Sequence, residues 1–218
     1  MTGLGTQAGR AAAGGHVPPT RKGAATRQRI VEGAAQEIRA EGVFALRLED
    51  VTTRTATSKS QLFHYFPGGK DELLLAVARF EAARVLDAQQ PELGSLTSRE
   101  AWWQWRDKVL ARYRAQGVSC PLHVALSQLG AATGAGRTVA AELLGQWQHR
   151  LAAGIRHLQG SGTVAAGLNA EREAAALLAG VQGGVLILMT TGSTGHLEAA
   201  LDSGLARLGL TPGSRETG

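Results

Sequence analysis

The chain's 218 residues, 44% hydrophobic with six prolines and one cysteine, suffice for one large domain or a small head on a larger body, and exclude an intrachain disulfide. Residues 1–25 lack the apolar stretch of a secretory leader, and the longest apolar candidate, 177–191, is broken by Gln182 and glycines, so a cytoplasmic protein with no membrane partner is expected. The net charge of +5 lies in residues 1–70, which carry ten Lys/Arg against five Asp/Glu, while residues 71–218 carry thirteen of each, the pattern of a polyanion-binding head on a neutral body.

Ala and Leu abound and strand-like alternation is nearly absent, so the expected fold is all-α, with about nine helices. Residues 1–25 are rich in Gly, Ala, Thr and Pro and read as a disordered basic tail. Its Arg10, Arg21 and Lys22 either reach a DNA minor groove or belong to an unstructured leader with no role. A helix over 26–40 carries the stripe Ile30, Val31, Ala34, Ala35 and Ile38. Arg27 and Arg29 near its start oppose the helix dipole, a cost easier to understand if that end faces phosphate. Gly42 ends it.

Next, Leu48, Val51 and Thr55 repeat at helical spacing, followed by the polar run Thr57-Ser58-Lys59-Ser60-Gln61 and the aromatic cluster Phe63-His64-Tyr65-Phe66. This reads as a helix-turn-helix whose second helix offers Lys59, Ser60, Gln61, Phe63 and His64 to a DNA groove. Lys59 can donate to a guanine edge and Gln61 can pair with an adenine edge. Pro67-Gly68-Gly69 stops that helix, and another follows over 70–88 with Asp71 and Glu72 in its acid-favouring first turn.

Further helices are expected over 98–116, 121–129, 137–158, 170–191 and 196–208, with a polar tail at 209–218. Pro121 suits a first helical turn and Asn169 an N-cap. Gly180, Gly183 and Gly184 inside one helix imply a kink or a close backbone approach. Trp102, Trp103, Trp105, Tyr113 and Trp147 form either a plain aromatic core or the wall of a pocket, and three Trp within four positions cannot all face one way. Leu197, Leu201, Leu205 and Leu208 make a narrow seam suited to packing on a partner. Cys120, three residues before His123, reads as a buried structural cysteine at a helix start rather than half of a nucleophile pair or metal site, since there is no second Cys and the six His are scattered; a redox-sensing thiol is the alternative. No enzyme, cofactor or metal chemistry is expected.

The stretch 26–75 resembles the TetR (tetracycline repressor) family of one-component bacterial regulators. The matching segments are TRQRIVEGAAQEIRAEGV, then SKSQLFHYF, then GGKDELL; the helix order after them, including NAEREAAALLAGVQGG, is similar too. The resemblance implies a three-helix DNA-binding head at 26–70 and a helical effector-binding and dimerisation body at 71–208. Ser58, Lys59, Ser60, Gln61 and Phe63 would face the major groove, with Leu62 and Phe66 buried. Thr26, His64, Tyr65 and Lys70 would contact phosphates. Trp102, Trp105, Arg106, Tyr113, His123, Trp147 and Gln182 would line an effector pocket. Leu178, Val181, Val185, Leu197, Leu201 and Leu205 would form the homodimer interface. The implied function is a repressor released from a palindromic double-stranded operator by a small-molecule effector; the alternative is a dimer with a degenerate head, acting through protein or small-molecule binding. This sequence departs from the family pattern at the turn, where Thr55-Ala56-Thr57 replaces Ala-Gly-Val, and before the second helix, where Leu46-Arg47 replaces a Ser/Thr cap. It departs again at Phe63, where Tyr is common, and at Thr52, where a small Ala is usual.

Overall fold

Caps set where the helices begin and end. The computed structural model describes residues 20–42, 44–117 and 134–211, and among these are eight α-helices and one 3-10 turn. Helix α1 (Arg21–Glu41) starts at Thr20, whose hydroxyl accepts from the Gly23 amide at 3.2 Å, so it begins five residues before the expected position and takes in part of the predicted tail. Helices α2 (Leu48–Thr55) and α3 (Lys59–Tyr65) form the helix-turn-helix, and α4 (Gly69–Asp87) follows. Ser98 caps α5 (Arg99–Gln116) through the Ala101 amide, at 3.2 Å. Helix α6 spans Gly134–Gly160. Asn169 caps α7 (Ala170–Thr191) through the Arg172 amide, at 3.0 Å, and α8 is Gly195–Arg207. The expected helix over 121–129, with Cys120 and His123, lies outside the described residues.

Two apolar cores divide the chain, and α4 belongs to both. Its first half places Leu73, Leu74, Ala76, Val77 and Ala78 against Ile30, Val31, Val51, Leu62 and Phe66 of the head. Its second half places Ala82, Val85 and Leu86 in the body core with α5, α6, α7 and α8. The head's core thus runs past residue 70, and no flexible linker separates head from body. The buried Glu81 carboxylate joins the two units by accepting from Arg39 of α1 and from Arg84 at 3.4 Å.

Of the three glycines of α7, Gly184 marks a close approach. A Cβ on Gly184 would lie 2.5 Å from the Leu197 Cα, so α7 and α8 cross nearly backbone to backbone there, and α7 is continuous. By length and composition α7 is apolar enough to cross a membrane, with mean hydropathy 1.7. Its Leu177, Leu178, Val181, Val185 and Leu188 are buried in the body core. The start of the expected polar tail is also packed: Leu210 is fully buried and its carbonyl accepts from the Trp103 indole at 3.1 Å.

The turn between α2 and α3 carries the cost implied by its missing glycine. Ala56 sits in the left-handed region, φ 48° and ψ 45°, the one non-glycine with positive φ among the described residues. A side chain there costs roughly 1–2 kcal/mol. The flanking threonines hold the turn: the Thr55 and Thr57 hydroxyls lie 2.7 Å apart, and Thr55 also donates to the Val51 carbonyl at 2.7 Å. Ala56→Gly is expected to raise stability by about 0.5–1 kcal/mol, the relief of strain being partly offset by a freer unfolded chain. Urea unfolding checks it, and an unchanged midpoint would show that the threonine pair already absorbs the strain.

Candidate functional site

The recognition helix α3 is built by a capping box. The Ser58 hydroxyl accepts from the Gln61 amide at 3.1 Å, and the Gln61 side-chain oxygen accepts from the Ser58 amide at 3.0 Å. Both side chains therefore have a structural task at the helix start. That leaves Lys59, Ser60, Phe63 and His64 as the outward side chains free of that task, with Phe63 39% exposed. Leu62 and Phe66 are fully buried, locking the helix onto α1, α2 and α4. Lys59 lies 3.8 Å from Glu49, with both groups largely exposed. An ion pair so open to solvent is weak and leaves the ammonium available to a stronger anion.

Helix α1 adds a feature that the sequence reading assigned to the tail. Its first turns run beside the C-terminal end of α3: a Cβ on Gly23 would lie 3.6 Å from the Tyr65 hydroxyl, and the Arg27 guanidinium lies 4.9 Å above the Phe66 ring. Arg21, Lys22 and Arg29 are exposed on the same helix. The signal was present as Thr20 followed by Arg21-Lys22, but no apolar period marks those residues as helical. Thr26 is accordingly not at the helix start. It lies more than a turn inside, and its hydroxyl donates to the Lys22 carbonyl at 3.1 Å. Lys70 is also engaged, its ammonium donating to the Leu46 carbonyl at 2.7 Å. It fixes the start of α4 to the entry of α2, which has no side-chain cap of its own. Tyr65 is half-buried and meets His64 edge to face at 5.0 Å.

In the body, the residues expected to line a pocket serve mainly as core. Trp102, Trp105 and Trp147 are fully buried and Tyr113 nearly so. Trp102 and Trp105 pack edge to face at 5.8 Å, and the Trp105 indole donates to Gln89 at 2.8 Å. Trp103 is the one that points away, toward Leu210. Arg106 is the hub of an ion cluster. It meets Asp202 at 2.7 Å, Asp107 at 2.8 Å and Glu198 at 3.0 Å, tying α5 to α8. Burial opposes its charge, but the hydrogen bonds it donates to Asp202, Asp107 and Glu198 outweigh that and raise its pKa. Gln182 is half-buried with its amide nitrogen unbonded, and His123 lies outside the described residues.

The expected interface residues are likewise inside the chain. Leu197, Leu201, Leu205 and Val181 are fully buried, and Leu178 and Val185 nearly so, all in the core of a single protomer. In that packing they present little side-chain surface to a partner. The faces left outward are Ala176, Ala179, Gly183 and Leu186 on α7, and Ala199, Ser203 and Ala206 on α8, with Leu186 50% exposed.

Residues 30–77 match the family model for bacterial regulatory proteins of the tetR family, and residues 100–203 match the tetracyclin repressor-like C-terminal domain. The chain belongs to the TetR family. An uncharacterised HTH-type transcriptional regulator of Mycobacterium tuberculosis is 28% identical over 102 residues, 44% of this chain and 49% of that protein. The chain thus spans about half the length of the curated relatives it matches. A TetR-family regulator from Mesorhizobium loti has a similar fold, with TM-score 0.71 and 18% identity over 86% of this chain and 98% of its own. A regulator from Saccharomonospora viridis, solved in complex with choline, gives TM-score 0.65 and 21% identity over 84% of this chain and 96% of its own.

Proposed function

We propose that this TetR-family protein is a sequence-specific DNA-binding transcriptional regulator of the bacterial cytoplasm, acting as a homodimer and leaving a palindromic operator when a small molecule occupies its body. The observation that carries the reading is the capped helix α3, with Lys59, Ser60, Phe63 and His64 outward and the basic start of α1 beside it. Phosphate contacts from Arg21, Lys22 and Arg29 would fix the register, while Lys59 and its neighbours would read base edges. The small outward faces of α7 and α8 would pack on their copies across a two-fold axis. Two recognition helices would then sit in successive major grooves, one helical turn or a multiple apart.

Helix α4 supplies the coupling, because it is packed in both cores and holds the entry of α2 through Lys70. An effector that binds the non-operator state better would shift the population toward it. The reading of a dimer with a non-binding head draws on the strained Ala56 and the uncapped α2. The Thr55–Thr57 pair and the Lys70 bond both counter it by holding those two weak points.

Two double variants test the roles. Lys59→Ala with Phe63→Ala is expected to reduce discrimination between operator and random DNA by roughly 10–100-fold. Arg21→Ala with Lys22→Ala is expected to weaken both DNAs alike and to lower the log–log salt slope by about 2. Fluorescence anisotropy over a salt series measures both, and identical profiles for the two variants would sink the division of roles.

A further inference from the structure

The proposed effector needs a place to bind, and among the described residues the fully buried Trp102, Trp105 and Trp147 do not line the clefts of about 920 and 550 Å³. An open cleft of about 550 Å³ lies elsewhere in the body, between the C-terminal end of α4, the segment 90–97 and one face of α6. That size suits a small molecule. Its floor is α6. Arg150 and His157 stand two turns apart, about 10 Å along the axis, with Ala153 and Gly154 between them. The facing wall carries Leu93 and Leu96, and Asp87 stands at the α4 end.

The walls are held in place. A Cβ on Gly154 would come 2.6 Å from the Leu96 Cβ, so floor and facing wall touch at the base of the cleft. The Lys108 ammonium binds both the Gln90 carbonyl and the Glu92 carboxylate, anchoring the facing segment to α5.

The floor of the cleft carries two polar groups without a charge partner among the described residues. Arg106, Arg114, Arg156 and Arg207 of the body each meet a carboxylate, whereas others, among them Arg112 with its buried Nε, do not; of the unpaired arginines, Arg150 is the one that lines this cleft. Arg150 is half-buried, and among the described residues neither it nor His157 has a side-chain hydrogen-bond or ion-pair partner. A guanidinium left unpaired beside an apolar wall is suited to bidentate capture of a carboxylate.

The geometry points to this cleft as the effector site, taking a small organic monoanion: a carboxylate on Arg150, with a short apolar body over Ala153 and Gly154 against Leu96 and its far end beside His157. Asp87 on the α4 side disfavours a second negative group. The inference rests on the regulator reading for its consequence, but not for the binding itself. The cleft touches α4 at Asp87, the end of the helix opposite Lys70 and about 26 Å from it at 1.5 Å per residue. A ligand lodged between Asp87 and α6 therefore acts on the helix that reaches the DNA-binding head.

The test uses the full-length protein without DNA and 3-phenylpropanoate as probe, followed by the histidine ring resonances in NMR. His157→Gln assigns the His157 signal. Saturable displacement of that signal at millimolar probe is expected, with at least tenfold weaker binding in Arg150→Gln and none by phenethylamine, which lacks the carboxylate. No saturable shift up to about 10 mM, or equal binding by Arg150→Gln, would overturn the proposal. A parallel operator titration separates the two readings. Probe binding without DNA binding defeats the regulator reading alone, and DNA binding without probe binding defeats the cleft alone.

Discussion

Arginine in place of Leu186 is expected to leave the protein monomeric and to weaken operator binding roughly 100-fold or more. Leu186 is half-exposed on a face of α7 otherwise made of Ala176, Ala179 and Gly183. Small residues there let a partner helix come close, and a leucine among them supplies the apolar area. A two-fold axis repeats each substitution, so the new guanidinium of one protomer would oppose its like-charged copy on the other and be buried without a carboxylate. The loss at the operator follows from valency, since one recognition helix binds without the second held nearby. Leu186 makes no contribution to the buried core, so the monomer should remain folded. Light scattering gives the mass and anisotropy the affinity; a variant still dimeric, with wild-type affinity, would place the interface elsewhere.

Valine in place of Gly184 is expected to cost about 3 kcal/mol or more. The new Cβ would stand 2.5 Å from the Leu197 Cα and 2.9 Å from its nitrogen, and neither backbone atom can swing aside as a side chain would. The α7–α8 crossing would have to open, exposing Leu177, Val181, Leu201 and Leu205 together. Gly145→Ala, inside α6 and away from that crossing, is the control: a Cβ there would meet no atom within 4 Å, so the chain should gain about 1 kcal/mol of helix propensity. Urea unfolding of the pair measures both. Equal midpoints would mean that the two helices have room to separate.

Much of the fold was legible because it depends on local chemistry. Ser98 and Asn169 sit before apolar-periodic runs, and the helices begin after them. Ala56 takes the left-handed conformation that the turn demands, although it is not glycine. The rest depends on partners distant in sequence. A leucine stripe looks the same whether it faces its own chain or a copy, so Leu197, Leu201 and Leu205 read as an interface, whereas α7 covers them in the folded protomer. Arg106 read as a ligand handle because Glu198 and Asp202 are over 90 residues away. The Lys70 bond to the Leu46 carbonyl was not legible because it crosses 24 residues. The start of α1 was hidden because Pro18-Pro19 before Thr20 and Gly23-Ala24-Ala25 after it give no apolar period to mark the helix.

The head of the dimer is expected to select a DNA sequence as a two-fold unit. Random-sequence selection with the full-length protein, followed by sequencing of the bound pool, measures that. An enriched inverted repeat, lost in Lys59→Ala with Phe63→Ala and reduced to a half-site or lost in Leu186→Arg, is the predicted result. A pool with no enriched motif, or one enriched equally by the recognition-helix variant, would contradict it.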